Sequence, residues 1–159
     1  MVAAVTPVRL EWRLRRNEHT LPPLLKIAKS ALDVVRAETP RIAALRLERE
    51  ACLVTRSAEA SCMAFDWARR TAWSVHGQVT FQQLVDLVAE VAGSGQRAIF
   101  GATVIEPIGP APSRIVLAIR RHVTPYNEVE LAALARLARA VAPRFEELVP
   151  ARDPAGPFI

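Results

Sequence analysis

Apolar residues recur at steps of three and four along the C-terminal part of the chain, and this seam restricts the fold more than any other feature. It consists of Leu131, Leu134, Ala138, Val141, Phe145 and Leu148. Such spacing places the side chains on one face of a helix. Glu128 and Glu130 precede the seam, where carboxylates favour the positive end of the helix dipole. We therefore predict a long C-terminal helix that begins near Asn127 and has an apolar face to bury.

Three further helices are predicted upstream by the same kind of spacing. They cover residues 23–37, residues from 40 to about 56, and residues 80–92. Thr39 followed by Pro40 has the pattern of an N-cap with a proline in the first turn. Gly93 marks the end of the third helix, because glycine is common just beyond a helix C-terminus.

The segments between these helices have the short alternating pattern of β-strands. We predict strands over residues 60–66, 71–76, 97–100, 102–107 and 113–121. Residues 67–70 join the first two strands as a hairpin. The predicted fold class is α/β of the α+β kind, with a central antiparallel sheet of about five strands, flanking helices and a long C-terminal helix.

The first twenty residues carry a different pattern. Val8, Leu10, Trp12 and Leu14 alternate with Arg9, Glu11, Arg13 and Arg15. This alternation predicts a half-buried strand or an arm that packs on a partner. We therefore expect an N-terminal arm or extra strand over 1–20, one domain over 21–150 and a C-terminal tail over 151–159.

Composition excludes several classes of protein. A chain of 159 residues with 51% apolar and 23% charged residues has the size and composition of one globular domain. No stretch approaches the roughly 18 apolar residues of a membrane span, and the first residues lack a signal-peptide pattern. We expect a cytoplasmic, bacterial protein without a membrane partner. Cys52 and Cys62 are too few for a disulfide framework and are expected to be reduced core residues.

A net charge of +5 and a pI near 10.2 are typical of proteins that bind the phosphates of nucleic acids. All basic residues except Lys26 and Lys29 are arginines, a bias that GC-rich genomes produce without selection for function. The arginines are scattered along the chain, and no aromatic residues alternate with them as a base-stacking surface requires. We expect a solvated basic surface and no nucleic-acid partner.

The order of the elements and four of the segments resemble GAF domains. EASCMAFDWARRTAWSVHG is similar to their first hairpin, and FQQLVDLVAEVAGSGQRAIFG to the helix and short strand that follow. VIEPIGPAPSRIVLAIRR resembles the paired central strands, and VTPYNEVELAALARLARAVAPRFEEL the terminal helix. The likeness covers about residues 24–149. It implies a small GAF/profilin-like domain in signal transduction, with short loops where ligand-binding GAF domains carry longer ones.

The resemblance also implies where a ligand would lie, between the sheet and the third helix. The residues expected there are Phe65, Trp73, His76, Phe81 and Phe100. Among them we expect His76 to supply the polar group that could orient a ligand. The alternative is that these aromatic side chains simply fill the core.

No pattern in the sequence predicts catalysis. One GAF-like branch reduces methionine sulfoxide through cysteines, but Cys52 and Cys62 lack the flanking glycine-rich loops and a third cysteine. The three histidines are too scattered for a metal site. Adjacent glutamates on the predicted helices point apart, so they form no acid–base pair. We expect no enzyme activity, no metal and no cofactor.

Two functions remain open from the sequence. The first is a regulatory module that forms a homodimer, or docks a signalling partner, through the seam of the C-terminal helix. The second is a small-molecule sensor whose occupied pocket shifts the terminal helices. A roadblock or longin adaptor that docks on a GTPase is the structural rival, although such adaptors usually begin with one helix rather than two.

Overall fold

The computed structural model describes residues 23–122, 124–149 and 158, and its helices lie where the apolar spacing predicts them. They are α1 (Pro23–Val35), α2 (Pro40–Thr55), α3 (Gln82–Ser94) and α4 (Glu128–Leu148). Thr39 caps α2, because its hydroxyl accepts a hydrogen bond from the Ile42 N–H at 3.2 Å. Asn127 and Glu130 form a capping box at the start of α4, in which each side chain accepts from the other residue's backbone N–H.

The strands form one antiparallel sheet. They are β1 (Glu59–Asp66), β2 (Thr71–Ser74), β3 (Gly77–Gln78), β4 (Ala98–Phe100), β5 (Thr103–Ile108) and β6 (Ile115–Arg120), in the spatial order β3-β2-β1-β6-β5-β4. Over the described ranges the sheet therefore has six strands, where the sequence predicts about five. The additional strand is β3, whose two residues are too few to produce a periodic pattern.

Three helices cover one face of the sheet. Helices α2 and α4 pack on the strands, and α1 packs against both of these helices. Their shared core includes Cys62, Ala64 and Leu117 from the sheet. Two of the predicted seam residues of α4, Leu134 and Val141, are fully buried in this core. The apolar face of α4 is thus covered within the chain.

Among the described residues, helix α3 alone covers the opposite face. Val85, Val88 and Val91 of this helix form a second core with sheet residues that include Met63 and Phe65. The alternation predicted for β1 is confirmed, because Met63 and Phe65 face α3 and the residues between them face the other three helices. A single helix is narrower than a six-stranded sheet, so the described residues leave part of this face uncovered.

Hydrogen bonds fix the direction of the helices on the three-helix face. Arg144, near the end of α4, donates from Nη2 to the carbonyl of Ala37, just beyond α1, at 2.8 Å. Helices α1 and α4 therefore end at the same side of the domain and begin at the other. Arg121 follows β6 and donates to the carbonyl of Thr55 at 3.3 Å, so the end of β6 lies beside the end of α2.

The predicted N-terminal arm, residues 1–20, lies outside the described residues. Of the predicted tail, 151–159, the structure describes only Phe158, which is buried in the core of the three-helix face. Within the described ranges, no helix is long and apolar enough to cross a membrane.

Candidate functional site

An open groove of about 990 Å³ lies between α3 and one end of the sheet. Its floor comes from the first residues of β1, the last residues of β6 and the beginning of β5. One wall is the N-terminal half of α3, and the other is the turn between β4 and β5. The lining consists of Glu59, Ala60, Ser61, Met63, Phe81, Gln83, Leu84, Asp86, Leu87, Glu90, Phe100, Gly101, Ala102, Thr103, Ala118, Ile119 and Arg120.

The groove exists because the side chains on its floor are small. Ala118 of β6 is the partner of Ser61 on β1 and of Ile105 on β5. Ser61 and Ala118 face α3, since their neighbours two residues along, Met63 and Val116, belong to the core beneath that helix. Short side chains at this point leave the space that large residues fill further along the same strands.

Two exposed phenyl rings stand on the walls of the groove. Phe81 precedes the first turn of α3 and is 63% exposed, and Phe100 ends β4 and is 65% exposed. Gly101 follows with a φ of 59°, a left-handed conformation that lets the chain turn sharply after Phe100. Leu84 and Leu87 continue the apolar wall along α3. The groove therefore offers apolar and aromatic surface to solvent.

Charged side chains surround this apolar surface, and most are acidic. Glu59 pairs in register with Arg120 across β1 and β6, so these opposite charges face each other. Asp86 and Glu90 stand four residues apart on the wall formed by α3. The carboxylate of Asp86 accepts a hydrogen bond from the neutral side chain of Gln82 at 2.8 Å. Three carboxylates and one guanidinium thus line the groove of a chain whose net charge is +5.

The structure brings together two of the five residues predicted to line a pocket, Phe81 and Phe100. Phe65 instead fills the core beneath α3, where its ring meets that of Trp67 edge to face at a centroid distance of 4.8 Å. Trp73 is the partner of Ala64, so it points to the three-helix face. His76 is exposed in the turn between β2 and β3. Phe65, Trp73 and His76 thus lie outside the lining of this groove.

The sequence reasoning missed the floor of the groove. Ser61, Thr103 and Ala118 are small residues without a distinctive motif, and only the pairing of β1, β5 and β6 places them together. The alternation along β1 could have placed Ser61 on the α3 face. The residues opposite it could not be named without the register.

The two cysteines lie outside the groove. Cys62 is fully buried beneath the helices, and burial raises the pKa of its thiol well above the ordinary value. Burial also raises the pKa of the half-buried Cys52. The carboxylate of Glu48 accepts a hydrogen bond from the backbone N–H of Cys62 at 2.9 Å, a contact between α2 and β1. Both thiols are thus poor nucleophiles in the folded protein.

No group of three histidine, cysteine or acidic side chains able to hold a metal ion occurs in the part of the chain that the structure describes. His122 and His76 are both exposed. His19 lies outside the described residues.

The residues predicted for a dimer interface on α4 lie at the centre of the three-helix layer. Leu134, Ala138, Val141 and Phe145 are buried, whereas Leu131 and Leu148 are half-buried at the ends of the seam. Apart from Val129 at the start of α4, the described large apolar residues of this layer that are exposed lie on α1 and α2. They are Leu25, Leu32, Val35, Ile42, Leu45 and Leu53.

No family model matches the sequence, and no curated protein matches it either. Solved structures do match the fold. The GAF domain of the Acinetobacter phosphoenolpyruvate-protein phosphotransferase superimposes with a TM-score of 0.65 at 10% identity, covering 82% of this chain and 97% of that one. The GAF domain of the Coxiella burnetii phosphoenolpyruvate-protein phosphotransferase gives 0.65 at 14% identity, covering 80% and 94%.

A third solved structure is the GAF domain of a candidate sensor histidine kinase from Pseudomonas syringae pv. tomato. It superimposes with a TM-score of 0.55 at 13% identity and covers 89% of this chain and 99% of that one. The match thus spans nearly the whole of each of these GAF domains. The chain has the GAF-domain fold.

Proposed function

We propose that this chain is a non-catalytic regulatory domain that binds a small apolar or aromatic ligand in the groove beside α3. The open groove, with Phe81 and Phe100 exposed on its walls, carries the proposal. Concave, largely apolar sites with a few polar groups are typical of ligand-binding proteins. The structurally similar GAF domains come from a sensor kinase candidate and from phosphotransferases, a context that supports a sensory role.

The position of the groove offers a route from a ligand to the helices. Its floor belongs to β1 and β6, and the opposite faces of these strands pack against α2. A ligand that binds one arrangement of these strands better than another will favour that arrangement, and α2 and its neighbours will follow. The altered helical layer would then act on a partner or on a further domain.

Filling the floor of the groove tests this proposal. Nile red, a neutral dye that brightens in apolar surroundings, should bind the wild-type chain, and Ala118→Phe should reduce the bound fraction several-fold because the new ring fills the space above Ser61. Ala132→Phe, on the exposed surface of α4, is the matched control. Equal binding by all three folded proteins would contradict the proposal.

A screen then identifies the ligand class. Cyclic nucleotides, small organic acids and tetrapyrroles are each added to the wild-type chain and to Ala118→Phe, and the melting temperature is recorded. A groove ligand raises the melting temperature of the wild type and leaves that of Ala118→Phe unchanged. A ligand that shifts both proteins equally binds elsewhere.

The exposed apolar residues of α1 and α2 support a second function, homodimerisation or docking of a signalling partner through the helical layer. Leu25 and Leu32 are two turns apart on α1, and Leu45 and Leu53 are exposed on α2. If these side chains adjoin, they form the kind of contiguous apolar patch that is typical of an interaction surface. Leu32→Glu with Leu45→Glu should give a folded monomer by light scattering if the wild type is a dimer by this surface; an unchanged mass would exclude it.

Dimerisation or partner docking through the α4 seam stays a prediction, and it would require the helices to rearrange. The central residues of the seam, such as Leu134 and Val141, are packed within the chain. A partner could reach them only if α1 or α2 moved away. The roadblock and longin alternatives have less support, because two helices precede the first strand within the described residues and the chain superimposes on GAF domains.

A further inference from the structure

We propose that the groove selects a small amphipathic amine, a molecule with an apolar or aromatic body and one positively charged nitrogen. The inference rests on the proposed function, because it names the chemical class of ligand for the same groove. Three observations support it: the charge of the α3 wall, the place of its carboxylates beside apolar side chains, and the two exposed phenyl rings.

The α3 wall is acidic, although the chain as a whole is basic. None of the 21 lysine and arginine residues of the chain lies between Arg70 and Arg97, a stretch that includes all of α3. Asp86 and Glu90 are the only charged residues of this helix, and both are exposed on the wall of the groove. A negative excess of this kind attracts a cation and repels an anion.

The other charges of the groove oppose each other. Arg120 is the one basic residue among the described residues that line the groove, and its partner in register is Glu59 on the neighbouring strand. Opposite charges at such a pair of positions attract each other. On α3, by contrast, Asp86 accepts a hydrogen bond from the neutral side chain of Gln82, which leaves the negative charge of the carboxylate in place.

The carboxylates of α3 lie beside apolar side chains of the same helix. Leu87 is three residues from both Leu84 and Glu90, and these side chains all line the groove. Asp86 and Glu90 are four residues apart, so their Cβ atoms are about 6 Å from each other and one ammonium group can lie between the two carboxylates. A single molecule can therefore place its body against the leucines and above Ala118, with its charged nitrogen at the carboxylates.

The exposed rings of Phe81 and Phe100 favour the same class of ligand. The face of a phenyl ring attracts an organic cation that lies within about 6 Å of the ring centre. An acidic ligand could also contact these rings, but its negative charge would face Asp86 and Glu90. We therefore expect small organic acids and cyclic nucleotides to bind more weakly than amines of similar size.

Three compounds with the same phenyl body and different charges test the preference: 3-phenylpropylamine, 3-phenylpropanol and 3-phenylpropionate. Their dissociation constants are measured by NMR titration of the full nitrogen-15-labelled chain at neutral pH and low salt. The amine should bind about fivefold more tightly than the alcohol, as expected for an exposed ion pair with a cation–π contact. The propionate should bind most weakly, and added salt should reduce the differences because exposed charges are screened.

Substitutions on α3 show whether its carboxylates cause the preference. Asp86→Asn with Glu90→Gln removes both charges at nearly constant size, so this variant should bind the amine no more tightly than the alcohol. Asp86→Lys with Glu90→Lys should reverse the order, and the propionate should then bind most tightly. Glu38→Gln with Glu146→Gln is the matched control for the neutral variant. It changes the net charge equally, on exposed residues near the end of α4, and should keep the wild-type preference.

Two results would overturn the inference directly. One is an amine that binds the wild type no more tightly than the alcohol, and the other is a preference that persists in Asp86→Asn with Glu90→Gln. Propylamine, a cation without the ring, should bind about tenfold more weakly than 3-phenylpropylamine because it buries less apolar surface. Equal binding of the two amines would mean that the carboxylates attract any cation without the groove, and this too would overturn the inference.

Ala118→Phe distinguishes failure of the inference from failure of the proposed function. If the three phenyl compounds bind the wild type equally and Ala118→Phe weakens them all, the groove is a ligand site without charge selectivity, and only the inference is wrong. If none of them binds while Nile red does, the inference alone is again wrong. If Ala118→Phe binds the dye and every compound as well as the wild type does, both the site and the inference are excluded.

Discussion

Arg97 and Glu106 form an ion pair inside the domain, with 2.5 Å between Nε of Arg97 and Oε2 of Glu106. Glu106 stands on β5, faces the three-helix layer and is only 7% exposed. Nη2 of the same guanidinium donates to the carbonyl of Leu131 at 2.7 Å. One arginine thus neutralises a buried carboxylate and ties β5 to the first turn of α4.

Removal of this arginine is expected to be costly. Arg97→Met leaves the Glu106 carboxylate buried without its partner, which should lower the free energy of unfolding by about 3 kcal/mol. Urea denaturation at pH 7 measures the loss. Arg49→Met, which breaks a surface pair with Asp33, is the control and should cost less than about 1 kcal/mol. A similar loss of unfolding free energy in the two variants would contradict the role of Arg97 as the partner that neutralises buried Glu106.

The pair formed by Arg121 and Glu130 predicts a dependence of stability on pH. The hydrogen bond from the Arg121 side chain lowers the pKa of Glu130 below its ordinary value of 4.5. A carboxyl group whose pKa is lower in the folded state stabilises the fold above the unfolded pKa, and this contribution disappears as the pH falls through the folded pKa. Glu130→Gln should therefore be less stable than the wild type at pH 7, and the difference should shrink below about pH 4.5.

Urea denaturation between pH 7 and pH 3 checks this sign. Glu38→Gln, an exposed residue between α1 and α2, is the control and should follow the wild type throughout. A difference for Glu130→Gln that stays constant down to pH 3 would show that the carboxylate charge is not what stabilises the fold.

The thiols should react slowly in the folded protein. Because burial raises the pKa of Cys62 and of Cys52, the reactive thiolate is scarce at neutral pH. At pH 8 we expect Cys52→Ser to show no titration with Ellman's reagent until denaturant is added. Cys62→Ser should react slowly but measurably, since Cys52 is half-buried. Rapid labelling of native Cys52→Ser would mean that Cys62 is accessible.

Substitutions in the α4 seam should lower the stability of the folded chain, because the central seam residues are buried in its core. Leu134→Ala removes a fully buried side chain from the core and should cost about 3 kcal/mol. Leu32→Ala, on the exposed surface of α1, should cost less than about 1 kcal/mol. Thermal denaturation of both variants distinguishes a core position from a surface position. A stable Leu134→Ala that has lost a dimer would instead support the seam as an interface.

Local signals predicted most of the fold. Thr39 and Asn127 are capping residues whose effect depends only on neighbouring backbone, so α2 and α4 begin where the sequence indicates. The alternation along β1 likewise needs no distant contact. The strand pairing could not be read in this way, and it decides which residues meet above Ala118.

The sequence could not show which of the predicted aromatic residues line the groove, because that depends on strand pairing. Trp73 and Phe65 are both large and aromatic, but Trp73 is the partner of Ala64 and therefore points away from α3. Phe65 meets Trp67 and fills the core instead. Phe81 is exposed because of where α3 begins relative to the sheet. That position depends on contacts between residues that are distant in the sequence.

The small floor of the groove has a consequence for how related chains could differ. Ala118 lies between Ser61 and Ile105 in the middle of the sheet, and the backbone there is held on both sides by neighbouring strands. A larger residue at this one position would shorten the space without disturbing strand pairing. The small side chain of Ala118 thus determines how large a molecule the groove can hold. A related chain could hold a smaller molecule through one substitution at this position.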